Sequence, residues 1–144
     1  MFSKACEYAI RAVLFVAAQS QMGNRTSLKE ISKEIGSPEA FTAKILQQLS
    51  KNNILKGIKG PYGGFEVGES EMNNIRLIDI VHIMDGDSLF KGCALGLENC
   101  NNEKPCPLHT EFMEIRNQIH QLLENTTLRN LSDEIVNGLT FLKR

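Results

Sequence analysis

The chain has no Cys-x-x-Cys motif, no long apolar run, and no internal repeat or low-complexity tract. Each absence removes a class. A membrane-spanning helix needs about 18 or more consecutive apolar residues, and the first helical pattern falls far short of that. The opening Met1-Phe2-Ser3-Lys4 lacks the basic, apolar, small-residue order of a signal peptide. The expected setting is a reducing cytoplasm, where cysteines act as ligands or sensors more readily than as disulfides. There is no carboxylate pair and no nucleophile–base arrangement. The stretch Gly60 to Gly64 lacks the strand–loop–helix context of a phosphate cradle. An enzyme is not expected.

The residues that are present describe an ordinary globular chain, 42% hydrophobic and 23% charged, of a length that suits one domain or a small domain with an appended element. The net charge of −1 conceals a split. Residues 1–65 carry nine Lys/Arg against four Asp/Glu, and residues 66–144 carry seven against thirteen. A basic front and an acidic rear fit a nucleic-acid reader with a separate sensing or assembly part.

Local patterns give the order of elements. Cys6, Ala9, Ile10, Val13, Leu14, Ala17 and Ala18 mark the buried stripe of a helix over 3–20, ended by Gly23 and Asn24. Ser27 and Glu30 form a capping box that opens a short helix with Leu28, Ile31 and Ile35 inward. After Gly36, Ser37 as N-cap, Pro38 and Glu39 start a second helix running to about Asn52, with Phe41, Ile45, Leu46 and Leu49 buried. Two helices across a glycine turn make a helix-turn-helix. The second presents Thr42, Ala43, Lys44, Gln47, Gln48 and Lys51 outward, where Gln can pair with adenine edges and Lys with guanine or phosphate.

Residues 54–58 and 65–67 read as strands joined by Gly60-Pro61-Tyr62-Gly63-Gly64, a hairpin whose tip carries Lys59. A hairpin directly after a recognition helix is a wing, with a tip small enough for a minor groove. Residues 68–74 read as a polar connection, and Arg76 to Asp85 as a short helix with Leu77, Ile80, Val81 and Met84 buried and His82 at the surface. From Leu108 to about Glu124 the chain forms its last long helix, on which Leu108, Phe112, Ile115, Ile119 and Leu122 trace a heptad seam. His120 lies off that seam, facing solvent. The seam is read as a homodimer interface, because small winged domains gain affinity by reading paired half-sites. The expected fold is thus mainly α with a small β-wing. Residues 1–67 form a winged helix-turn-helix, and residues 68–144 supply a cysteine loop and a C-terminal dimerisation helix within one compact protomer.

Between those parts lie Cys93, Cys100, Cys106 and His109, in a stretch whose Pro, Gly and Asn content opposes regular structure. Structural zinc sites usually hold cysteines about two to four residues apart, and these gaps are wider. Three thiolates with a fourth ligand from His109 or a carboxylate suit an iron–sulfur cluster, 2Fe–2S or 4Fe–4S. Zinc and a thiol switch remain open on spacing alone.

Several stretches together resemble the bacterial IscR/NsrR family of winged-helix transcription regulators. They are Glu7-Tyr8-Ala9, Lys51-Asn52-Asn53, Lys59-Gly60-Pro61-Tyr62-Gly63-Gly64, Pro105-Cys106-Pro107-Leu108-His109 and Asn125-Thr126-Thr127-Leu128. The resemblance covers nearly the whole chain. It implies a homodimer on a palindromic DNA operator, read by the recognition helix and wing, and an iron–sulfur cluster on the three loop cysteines whose state changes DNA affinity. It implies a fourth ligand at one of two positions: Glu7 of the partner subunit, as in the NsrR-like branch, or His109, as in the IscR-like branch. The six-residue gap between Cys93 and Cys100 departs from the five usual in those branches and leaves the cluster type open.

Overall fold

The computed structural model describes residues 1–143. Helix α1 (Lys4–Gln21) is the central element. Ser3 caps it by accepting from the Cys6 amide at 3.1 Å, and its Ala-rich inner face (Ala9, Ala12, Ala17) is fully buried. Small side chains let other helices approach closely. Packed around α1 are α2 (Leu28–Ile35), α3 (Glu39–Lys51), α5 (Leu77–Asp85) and α8 (Leu128–Val136). The Ser27–Glu30 capping box forms as expected, and Gly36 in the left-handed region (φ 66°) stops α2. Val13, Ile31, Leu46, Leu49, Ile80 and Leu128 meet in the core at no more than trace exposure, each burial worth ~2 kcal/mol.

The two-stranded sheet pairs β1 (Lys56–Ile58) with β2 (Gly64–Glu66) antiparallel, with Gly57 opposite Phe65. Its root is tied to the rest of the protein. Phe65 N–H donates to the Thr26 carbonyl at 2.8 Å, and Thr26 N–H to the Phe65 carbonyl at 3.0 Å. Gly64 is required there, since a Cβ would stand 2.8 Å from the Thr26 oxygen.

Four expectations need correction. Residues 68–74 are not merely a connection: Glu69–Asn74 form helix α4, anchored by buried Met72. Ser37 does not cap α3; Pro38 takes that position in extended conformation. The Ser37 amide is held by the Ser32 carbonyl at 3.0 Å, and its buried hydroxyl finds no partner among the described residues. Phe41 is 38% exposed instead of buried, with its ring edge-on to Tyr8 at 5.9 Å. His120 is half-buried against Phe90, with ring centres 4.9 Å apart.

A short helix α6 (Ser88–Lys91) precedes the cysteine loop, and α7 (His109–Asn125) follows it. Helix α8 packs on α1, where the Gln21 side-chain amide donates to Ser132 Oγ at 2.6 Å, and the Leu128 backbone amide donates to the Ile75 carbonyl between α4 and α5 at 3.0 Å. The chain's last helix therefore shares the core of its first three. Among the described residues, no helix is long and apolar enough to cross a membrane.

Candidate nucleic-acid interface and cysteine site

The outer face of α3 is narrower than its sequence suggests. Lys44, Gln47 and Lys51 are exposed at helical spacing, with Ala43 half-buried at the edge. Thr42, expected outward, is fully buried. Its hydroxyl donates to the Pro38 carbonyl one turn back at 2.9 Å, which satisfies the group locally and lets the methyl pack inward. Gln48 is exposed, but its amide donates to the Ile83 carbonyl at 3.1 Å and ties α3 to α5. Ser37 is buried too and offers no contact surface.

Beside α3, the Tyr8 ring carries the Arg11 guanidinium 4.8 Å from its centre and the Lys4 ammonium 5.5 Å away. This basic, aromatic flank was not singled out from the sequence, although its charges were counted there. The wing is rooted at the other end of α1, where Ser20 Oγ accepts from the Val67 amide at 3.0 Å. Lys59, Gly60 and Pro61 are exposed and Tyr62 is 88% exposed. Gly60 adopts φ 106°, and the Gly63 amide closes the turn on the Gly60 carbonyl at 2.9 Å. Arg25 braces the tip: it donates to the Tyr62 carbonyl at 3.3 Å and pairs with Glu66 at 3.1 Å.

In the cysteine loop, local backbone and α7 hold the three sulfurs and the His109 imidazole. Cys93 accepts from the Leu95 and Leu97 amides, and with Cys106 and the Arg116 charge nearby its thiol is held below the usual range. Cys100 Sγ lies 3.3 Å from His109 Nδ1, while His109 Nε2 lies 2.6 Å from Asn102 Oδ1. His109 is buried at the start of α7, its amide donating to the Cys106 carbonyl at 3.0 Å. The Arg116 guanidinium reaches across from α7, donating to the Gly92 carbonyl and to Cys100 Sγ at 3.4 Å. Among the described residues, no three Cys, His, Asp or Glu groups surround one ion position. Amide donors on a lowered thiol, two further thiols and an imidazole are nevertheless a donor set suited to a sulfur-ligated metal group.

Glu7 lies outside this site, on the outer side of α1 in an ion pair with Lys4 at 3.2 Å. Cys6, the fourth cysteine, is fully buried. Burial first, and then Asp85, push its thiol up to about 12. The unfolded chain would lose this proton near pH 9, so the stability tied to the neutral thiol is complete below pH 9 and falls as pH rises toward 12. In metal-free protein at pH 8, alkylation followed by mass spectrometry should therefore modify Cys93 first and leave Cys6 untouched until denaturant is added.

Helix α7 divides its faces. His109, Arg116 and Leu123, seven residues apart, turn toward the loop and α5. On another side Leu108, Phe112, Ile115 and Leu122 are 38–64% exposed, an apolar strip uncovered within the protomer. Ile119, expected on that seam, instead packs against the Cys6, Ile78, Val81 and Leu123 cluster.

A helix-turn-helix with a braced hairpin wing and a helical side body defines a winged-helix DNA-binding regulator. Residues 2–134 match the Rrf2 family, described as an iron-dependent transcriptional regulator, and the chain belongs to that family. It is 32% identical over 131 residues to the HTH-type transcriptional regulator IscR of Pectobacterium carotovorum subsp. carotovorum (strain PC1), a match covering 91% of this chain and 76% of that protein. Two solved structures share the fold. CymR, the global cysteine regulator of B. subtilis, superposes with TM-score 0.73 at 24% identity, covering 92% of this chain and 96% of that one. IscR of T. potens superposes with TM-score 0.71 at 19% identity, covering 98% and 92%.

Proposed function

We propose that the protein is a homodimeric operator-binding regulator whose DNA affinity is set by an iron–sulfur cluster held by Cys93, Cys100, Cys106 and His109. The observation that carries this reading is the oriented donor set at Cys100, whose sulfur lies 3.3 Å from His109 Nδ1 and accepts from Arg116 at 3.4 Å, in the same loop as Cys93 and Cys106. Three thiols and an imidazole in one loop suit an iron–sulfur cluster, which is held mainly by thiolates with His able to replace Cys. The 32% identity to an IscR protein supports the same reading. When bound, such a cluster supplies iron that is sensitive to redox state and nitric oxide.

The chain's own residues would carry the response. Cys106 and His109 lie at the start of α7, so ligation there fixes the end of the helix that bears the dimer strip. The strip sets the separation of two recognition helices, which must match half-sites about 34 Å apart. A shift at the loop thus becomes a change in operator fit, a population shift between two dimer geometries.

A second reading has one observation in its favour. Cys106 is among the groups near Cys93 that hold its thiol below the usual range, which suits a thiol switch in which a two-electron oxidant joins these sulfurs and the loop rearranges without metal.

Both readings share the DNA interface, which a salt-dependent binding assay tests. Lys44→Ala and Lys59→Ala should each weaken operator binding roughly 5-fold. Lys59→Ala should also lower the log–log salt slope by about 0.9 without changing sequence preference. Unchanged affinity and slope in both variants would remove these residues from the interface.

A further inference from the structure

We infer that Arg116 is the positioning residue that latches the cysteine loop to helix α7. The guanidinium donates to the Gly92 carbonyl, just before the first cysteine, and to the sulfur of Cys100, the second. One planar fork thereby closes both ends of the six-residue gap between Cys93 and Cys100. Lysine cannot reproduce such a grip, since it presents a point charge without fixed geometry.

The position of Arg116 on α7 gives the latch its consequence. It lies midway between His109 and Leu123, the two buried residues of a 17-residue helix. Helix α7 contacts the protomer through α5 and α6, and Arg116 joins it to the loop alongside the His109 contacts with Cys100 and Asn102. The adjoining strip of Leu108, Ile115 and Leu122, about 100° round the helix, is exposed and available to another subunit. The loop and the strip therefore move as one body while Arg116 is in place. This rests on the cluster reading only for its final step, in which the loop's state reaches the operator.

The test uses the full-length protein with Arg116→Ala and Arg116→Lys. Hydrogen exchange of the cluster-free protein reads the latch directly. Loss of hydrogen bonds from a charged donor should raise exchange of the bonded Leu95, Gly96 and Leu97 amides by ~10-fold in Arg116→Ala, and by less in Arg116→Lys. Operator affinity of the cluster-free variants should stay close to wild type, because Arg116 lies outside the DNA face. The ratio of affinities with and without the reconstituted cluster should shrink by ~5-fold or more in Arg116→Ala. Wild-type exchange together with a wild-type affinity ratio would overturn the proposal. If the wild-type protein takes up no iron or sulfide, the cluster reading fails and the exchange arm alone decides: faster loop exchange upholds the latch, and unchanged exchange overturns it.

Discussion

Replacing Ile115 and Leu122 together by aspartate should convert the protein from dimer to monomer and reduce operator affinity by ~100-fold or more. These side chains are 49% and 64% exposed in the protomer, so the change costs little within the fold itself. In a paired interface, a carboxylate without a partner costs about 3–5 kcal/mol, which is ~100-fold or more in the dimer dissociation constant. Sedimentation or light scattering at micromolar concentration reads the first effect, and an electrophoretic shift on a palindromic operator reads the second. A double variant that stays dimeric with a wild-type thermal transition would show that another surface pairs the subunits.

The second large effect separates the two candidates for the fourth ligand. His109→Ala should reduce the iron and sulfide retained after anaerobic reconstitution to a small fraction of wild type, whereas Glu7→Ala should retain most of it. The reason is geometric. His109 is buried, 3.3 Å from Cys100, with its other nitrogen held 2.6 Å from Asn102, so the ring is already oriented toward the loop. Glu7 pairs with Lys4 at the surface of α1 and would reach the site from another subunit. Removing an oriented ligand typically costs more than removing a distant charge. The opposite result, with Glu7→Ala losing the metal and His109→Ala keeping it, would place the fourth ligand across the dimer.

Much of this arrangement was legible in the sequence because its signals are local. The Ser27–Glu30 box, the apolar stripe of α1 and the Lys59–Gly64 turn each act within a few residues, and each formed in its expected place. What the sequence concealed depends on contacts between distant segments. Helix α4 is mostly polar and exists because Met72 is buried and Arg129 of α8 pairs with Glu69. Thr42 read as polar and outward, yet its hydroxyl bonds one turn back and frees the residue to enter the core. The bond from the Gln48 amide to the Ile83 carbonyl of α5 was equally hidden. Arg116 carried no motif at all, since its meaning depends on Gly92 and Cys100 folding back against the third turn of α7. The grouping of Cys93 with Cys106 was likewise invisible in the spacing, which placed Cys100 between them.

The central claim is that the loop cysteines hold a cluster that controls operator binding. It is tested most directly by preparing the protein without oxygen, measuring iron and sulfide per protomer, and measuring operator affinity before and after removing them. The account predicts a coloured dimer with stoichiometric iron and sulfide, both lost when Cys93, Cys100 and Cys106 are changed to serine, and an operator affinity that differs between the loaded and stripped forms. A colourless protein that takes up neither element, with an operator affinity indifferent to those three substitutions, would contradict it.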